Sequence, residues 1–191
     1  DAYYFSPQKA FGSDGGLWVA ILSPAAVERA ARVEANVNLP GASRWVPPFL
    51  SLTSALENSR KDQTLNTPSV ATLIMMENQV RWLNDNGGMA WATARCSKSA
   101  STLYAWAEAS EYAKPFVADE GARSHAVVTV DLDESINAKQ MIAILRDNGI
   151  VDTAGYRKLG RNQLRIGVFP SVEPSDVLAL THCIDYVAER M

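Results

Sequence analysis

Cysteine is scarce: two in 191 residues, Cys96 and Cys183, far apart and neither within a Cys-x-x-Cys pair. Neither a disulfide framework nor a thiolate zinc site is indicated, and both thiols are read as reduced. Histidine is as sparse, with His125 and His182 standing alone, so metal-ligand spacing is missing and no metal is expected. An excess of charge of one sign is lacking too, because 18 Lys and Arg face 21 Asp and Glu for a net charge of -3. That balance provides no field for a nucleic-acid backbone. No stretch approaches the run of about 20 apolar residues that a membrane span needs, and no charged-then-apolar signal segment opens the sequence. The expectation is a soluble, cytoplasmic protein with neither nucleic acid nor membrane as partner. An initiating Met is also missing, and Asp1-Ala2-Tyr3-Tyr4-Phe5 begins directly in strand-like residues, which reads as a piece of something longer.

What is present is a hydrophobic content of 47%, sufficient for a core. Residues 3–5 and 17–22 are apolar runs bounded by Gly, Pro and Ser, and read as two buried strands. Ser23 is the natural cap of a helix through about Glu34, with Pro24 at its first position. Residues 35–44, with Pro40-Gly41, read as a surface loop. A second helix is expected with Thr67 as cap and Pro68 at the first position, carrying Val70, Leu73, Met76, Val80 and Leu83 as a stripe. Gly87-Gly88 ends it, and a long third helix follows over 89–109. Residues 126–130 are a β-branched strand, Asn137 to Gln140 resembles a capping box for a helix ending at Asn148-Gly149, and residues 164–169 form another strand. Pro174 opens a last helix with Val177, Leu180, Ile184 and Val187 on one face. Strand, helix, strand, helix gives an α/β class with at least two layers.

Three constellations can carry chemistry. Lys9 follows a strand and sits among Pro, Gly and Ser, where loss of water would lower its pKa toward that of a Schiff-base amine; a plain surface-loop lysine is the alternative. Asn66-Thr67-Pro68 opens a helix whose free N–H groups and dipole suit an anion, or is an ordinary cap. Residues 155–165 hold Arg157, Lys158, Arg161 and Arg165. Arginine forks bind carboxylate and phosphate oxygens in pairs, although a solvated charged hairpin would have the same composition.

The whole string from Tyr4 to Leu17, with Gln8-Lys9 followed by a Gly-containing turn and a strand, resembles the cofactor-lysine segment of phosphoserine aminotransferases. Residues 63–68 resemble that family's Asn-Thr-Pro motif, and the resemblance extends from Tyr3 to Arg190. It implies a fold-type I pyridoxal-phosphate-dependent transferase, with residues 1–110 as the end of the large domain plus interface helices and 111–191 as the small C-terminal α/β domain. By the resemblance, Lys9 is the catalytic lysine that carries pyridoxal 5'-phosphate as a Schiff base and then shuttles a proton. Gln8 would contact the cofactor phosphate, and Asn66 and Thr67 would reach the partner subunit's cofactor in a homodimer with shared active sites. Arg165 would bind the substrate α-carboxylate. Arg157 would help bind the substrate phosphate, with Tyr156 in place of a family His, and Arg161 or Lys158 could share that contact. The implied reaction moves an amino group from glutamate to 3-phosphohydroxypyruvate, serving serine and pyridoxine synthesis. Half of such an enzyme would be absent, so the chain alone is expected to transaminate poorly. A non-catalytic interface fragment and another enzyme of the same fold remain the alternatives.

Overall fold

The computed structural model describes the chain except for Asn38, Leu39, Ala42, Ser43, Arg44 and Arg157. Backbone contacts divide it into two compact units, Asp1–Gln79 and Val80–Met191. The boundary between them has a packing reason. The long helix that follows Gly87 lies on the last helix and on the sheet of the second unit, so it belongs with them.

In the first unit, β1 (Ala2–Phe5) and β2 (Val19–Leu22) pair antiparallel, Ala2 opposite Leu22 and Phe5 opposite Val19. Both expected strands exist, but their expected burial does not: Tyr4 is 79% and Ile21 65% exposed. The sheet holds two strands only, and a lone hairpin has no second layer to cover it. α1 (Pro24–Val37) starts where Ser23 and Pro24 predict, with the Ala26 N–H donating to Ser23 Oγ at 3.2 Å. It runs three residues beyond Glu34; of the expected loop, Pro40 and Gly41 form a turn and residues 38, 39 and 42–44 lie outside the described residues. A 3-10 turn (Pro48–Leu50) and α2 (Leu52–Ser59) were not expected. The start of α2 is completed from far away, since Glu34 of α1 accepts from Ser51 Oγ at 2.7 Å and from the Thr53 N–H at 3.2 Å. α3 (Val70–Asp85) begins later than predicted. Ser69, not Thr67, occupies its entry, and the Ser69 carbonyl accepts from the Leu73 N–H.

The second unit contains α4 (Gly88–Ala109), β3 (Ala113–Pro115), β4 (Val127–Leu132), α5 (Ala138–Asp147), β5 (Gln163–Gly167) and α6 (Pro174–Ala188). Gly87 adopts φ 114° just before α4, a left-handed conformation that glycine takes without a Cβ penalty. The strands form one antiparallel sheet in the order β3-β4-β5; β3, only three residues long, was not predicted. Helices α4 and α5 pack on the sheet and α6 on both helices, giving the two layers expected. The buried apolar cluster, including Leu103, Val128, Val130, Met141, Leu164 and Ile184, lies wholly between Ala100 and Ile184. Every N–H of the first turn of α5 is satisfied: Ala138 by Asn162 Oδ1, Lys139 and Gln140 by Asn137 Oδ1, Met141 by the Asn137 carbonyl. The capping-box expectation therefore holds for its Asn137 half.

Candidate active site

Lys9 sits on a turn fixed by its own neighbours. The Gly12 N–H donates to the Lys9 carbonyl at 2.9 Å, and the Ser13 N–H to the Pro7 carbonyl at 3.1 Å. Gly12 needs φ 59° for this turn, and a Cβ there would meet the Gln79 amide at 3.3 Å. Phe5 and Phe11 stack beside it with ring centroids 5.0 Å apart. Two longer bonds tie the loop to the first turn of α3: Ser13 Oγ donates to the Thr72 carbonyl at 2.8 Å, and Thr72 Oγ1 to the Gly15 carbonyl at 3.2 Å. Both residues are buried, and sequence reasoning missed them because nothing local links positions 59 residues apart. Lys9 itself is exposed, as is Gln8. The desolvated lysine argued from the loop composition is thus not found within this unit, since Gly, Ser and Asp side chains are too small to cover an amine on a four-carbon stem.

Asn66 and Thr67 are exposed and lie ahead of α3 rather than in its first turn. Thr64 Oγ1 donates to the Asn66 carbonyl at 2.6 Å, while the Asn66 and Thr67 side chains make no hydrogen bond among the described residues. The capping role expected of Thr67 is replaced by two polar side chains turned to solvent.

Three cations of the second unit, Lys114, Arg161 and Arg165, gather on one face of its sheet. Residues directly opposite in an antiparallel pair share a face. The pairs Val128–Ile166 and Val130–Leu164 therefore face the helices, and the pairs Lys114–Asp131, Asp131–Gln163 and Thr129–Arg165 face away. Arg165 is exposed, and its guanidinium lies 5.8 Å from the centre of the Tyr156 ring. Two of the predicted substrate residues are thereby brought together. Gly155 makes this possible, because a Cβ there would come within 3.2 Å of the Gln163 carbonyl oxygen. Arg161 is placed differently: it donates to Asp131 Oδ2 at 2.7 Å and to Oδ1 at 3.2 Å, and stacks 5.1 Å from the centre of the Phe116 ring. Arg157 lies outside the described residues. Burial alone would raise the Asp131 carboxyl, but hydrogen bonds from Arg161 and Gln163 and the charge of Lys114 hold it below the usual carboxylate range.

Arg123 is a clamp within the second unit. It donates to Glu108 at 2.6 Å and to the Val117 carbonyl at 3.0 Å, and lies over Tyr104. Trp82 and Trp91 meet edge to face at 5.1 Å, and Trp106 Nε1 donates to Asp185 at 2.8 Å, so these three tryptophans pack between helices. Ser97 and His125 share a hydrogen bond of 2.8 Å. No cluster of three or more His, Cys, Asp or Glu among the described residues could hold a metal ion, and no helix among them is long and apolar enough to cross a membrane.

No family model matches the chain. A relative from Mycolicibacterium vanbaalenii is 59% identical over 191 residues, covering 100% of this chain and 50% of its own length. The phosphoserine aminotransferase of Rhodococcus opacus is 56% identical with the same coverage. The chain thus spans about half the length of the curated relatives it matches. Among solved structures, phosphoserine aminotransferase of Cytophaga hutchinsonii superimposes with a TM-score of 0.81 at 22% identity, over 97% of this chain and 49% of that one. An identity that low shows the fold alone, that of the fold-type I transferases; the curated relatives carry the family. By sequence, the whole chain is homologous to the C-terminal half of curated phosphoserine aminotransferases.

Proposed function

We propose that this chain supplies the cofactor lysine and the substrate-carboxylate arginine of a pyridoxal-phosphate-dependent phosphoserine aminotransferase. The reaction transfers the amino group of L-glutamate to 3-phosphohydroxypyruvate and yields O-phospho-L-serine and 2-oxoglutarate. Lys9 carries this reading: an exposed amine, with neither ion pair nor hydrogen bond among the described residues, on a turn closed by the Gly12 and Ser13 N–H groups. A primary amine on a fixed backbone fits an aldehyde cofactor, because it can condense without losing an existing partner. When bound, pyridoxal phosphate supplies the electron sink for the substrate Cα. Lys9 Nζ would hold the cofactor, and its amine would accept the substrate Cα proton and return one. A base at neutral pH must be shielded from water, and that shielding falls to segments the relatives possess beyond this chain.

Gln8 and, across a homodimer, Asn66 and Thr67 are assigned to the cofactor phosphate; their exposed amide and hydroxyl groups are available as donors. Arg165 is assigned to the α-carboxylate and Arg157 with Tyr156 to the substrate phosphate, in a cytoplasmic enzyme. The test is trapping. The protein is incubated with pyridoxal phosphate, reduced with borohydride and mapped by peptide mass. A phosphopyridoxyl group concentrated on the Lys9 peptide and lost in Lys9→Ala is the expected result. Equal labelling of Lys61, Lys98 and Lys139 in both proteins would sink the assignment.

A further inference from the structure

We propose that Arg161 is a positioning residue and not a substrate ligand: paired with Asp131 and stacked on Phe116, it pins the register of β5 so that Arg165 stays on the polar face of the sheet. The proposal rests on the reading of Arg165 as the carboxylate ligand and says what holds it there. β5 has five residues and lies at one end of the order β3-β4-β5, with, among the described residues, only an isolated bridge between Ala154 and Leu164 on its other side. A short strand of this kind has few bonds to define its register, and a slip of one residue carries every side chain to the opposite face. For Arg165 that slip means a charge driven into the layer held by Val128, Val130 and Leu164.

Three side chains oppose it at the start of the strand. Asp131, 8% exposed, accepts both arms of Arg161, and its Oδ1 also accepts from Gln163 Nε2 at 2.7 Å. Gln163 is the residue directly opposite Asp131 in the ladder, so the contact exists only in this register. Asn162, between them, donates from Nδ2 to the carbonyls of Leu132, Asp133 and Ile136 at 2.8–3.1 Å. Three consecutive residues, 161 to 163, are therefore fastened to β4 and the segment after it, two positions ahead of Arg165. A two-pronged pair with a buried carboxylate is costly to break, which takes the Arg161 fork out of competition for a substrate anion.

The experiment follows arginine Nε–Hε resonances in the nitrogen-labelled full chain during titration with glutarate, the dicarboxylate of glutamate without its amine. Glutarate is expected to move the Arg165 signal and leave that of Arg161 in place. Asp131→Asn and Arg161→Gln should each weaken the Arg165 response severalfold, the double variant no further than the worse single one. Arg161→Lys, which keeps the ion pair, should recover part of it, whereas a general loss of structure would not distinguish Lys from Gln. Should Asp131→Asn fail to fold, Phe116→Leu removes only the stacking ring and should lower the response in the same direction. Movement of Arg161 by glutarate, an unmoved Arg165 in the unaltered chain, or an intact response in the variants overturns the proposal. Labelling of Lys9 is independent of all three: with Lys9 trapped, an unmoved Arg165 refutes its assignment to the carboxylate, whereas an intact response in the variants refutes the positioning role alone.

Discussion

Asn162 shows how much one side chain can carry. Its amide donates to three backbone carbonyls and its Oδ1 accepts the first free N–H of α5. Asn162→Ala would strand these groups in partly buried positions, so a loss of about 2–3 kcal/mol is expected, measured by urea unfolding of the second unit. Asp131 yields a prediction in pH. Its carboxyl lies below the usual range in the folded chain, so the unfolded chain binds the proton first as pH drops. The stabilisation is complete above the ordinary carboxyl value of about 3.9 and is lost as pH falls through the lower folded value. Urea midpoints followed from about pH 6 to about pH 2 should therefore fall more steeply for the unaltered chain than for Asp131→Asn. Parallel curves would remove Asp131 from the acid response. Lys9 and Arg161 mark what sequence could reveal about the site. The Lys9 turn was legible because its determinants, Pro7, Gly12 and Ser13, are local. The commitment of Arg161 was not, since its partner Asp131 stands 30 residues away.

Among the elements, those with their own punctuation were legible. α1 begins at Ser23-Pro24, α5 at Asn137, α6 at Pro174, and α4 follows the left-handed Gly87, each where capping and glycine chemistry place it. α2 and β3 were not legible, because eight and three residues carry too little periodicity, and the α2 start borrows its acceptor from Glu34. The exposed hairpin is a different lesson: an apolar run records that a strand is built to be covered, and not whether the cover lies in the same unit. At the α5 entry the hydrogen bonds are divided between Asn137, for Lys139 and Gln140, and Asn162, for Ala138. Asn137→Ala should then cost about 1 kcal/mol in thermal or urea unfolding. Its effect should fall well short of Asn162→Ala, which also frees three carbonyls. Equal losses would mean that the cap, and not the β5 anchor, dominates this corner.

Over the whole molecule, burial is distributed unevenly between the two units. All of the buried apolar cluster lies in the second, from Ala100 to Ile184, while in the first the buried side chains among the described residues are Pro7, Ser13, Ser51 and Thr72. Apolar burial is the main term opposing chain entropy, so the first unit has little to hold it closed beyond its hydrogen bonds. Exposed Tyr3, Tyr4, Trp18 and Ile21 on the hairpin give it surface that water does not favour. Local opening free energies follow this kind of imbalance. Amide hydrogen exchange on the chain should show slow exchange in β4, β5 and the buried turns of α4 and α6, and fast exchange in β1, β2 and α1. Unfolding should accordingly be non-coincident, the first unit losing protection at lower urea than the second. Adding, as a separate polypeptide, the half of the Rhodococcus opacus relative that this chain does not match should slow exchange in the hairpin selectively if that half is what its apolar face is built to meet. Uniform protection across both units in the chain alone would mean that the exposed hairpin is held by something other than buried area.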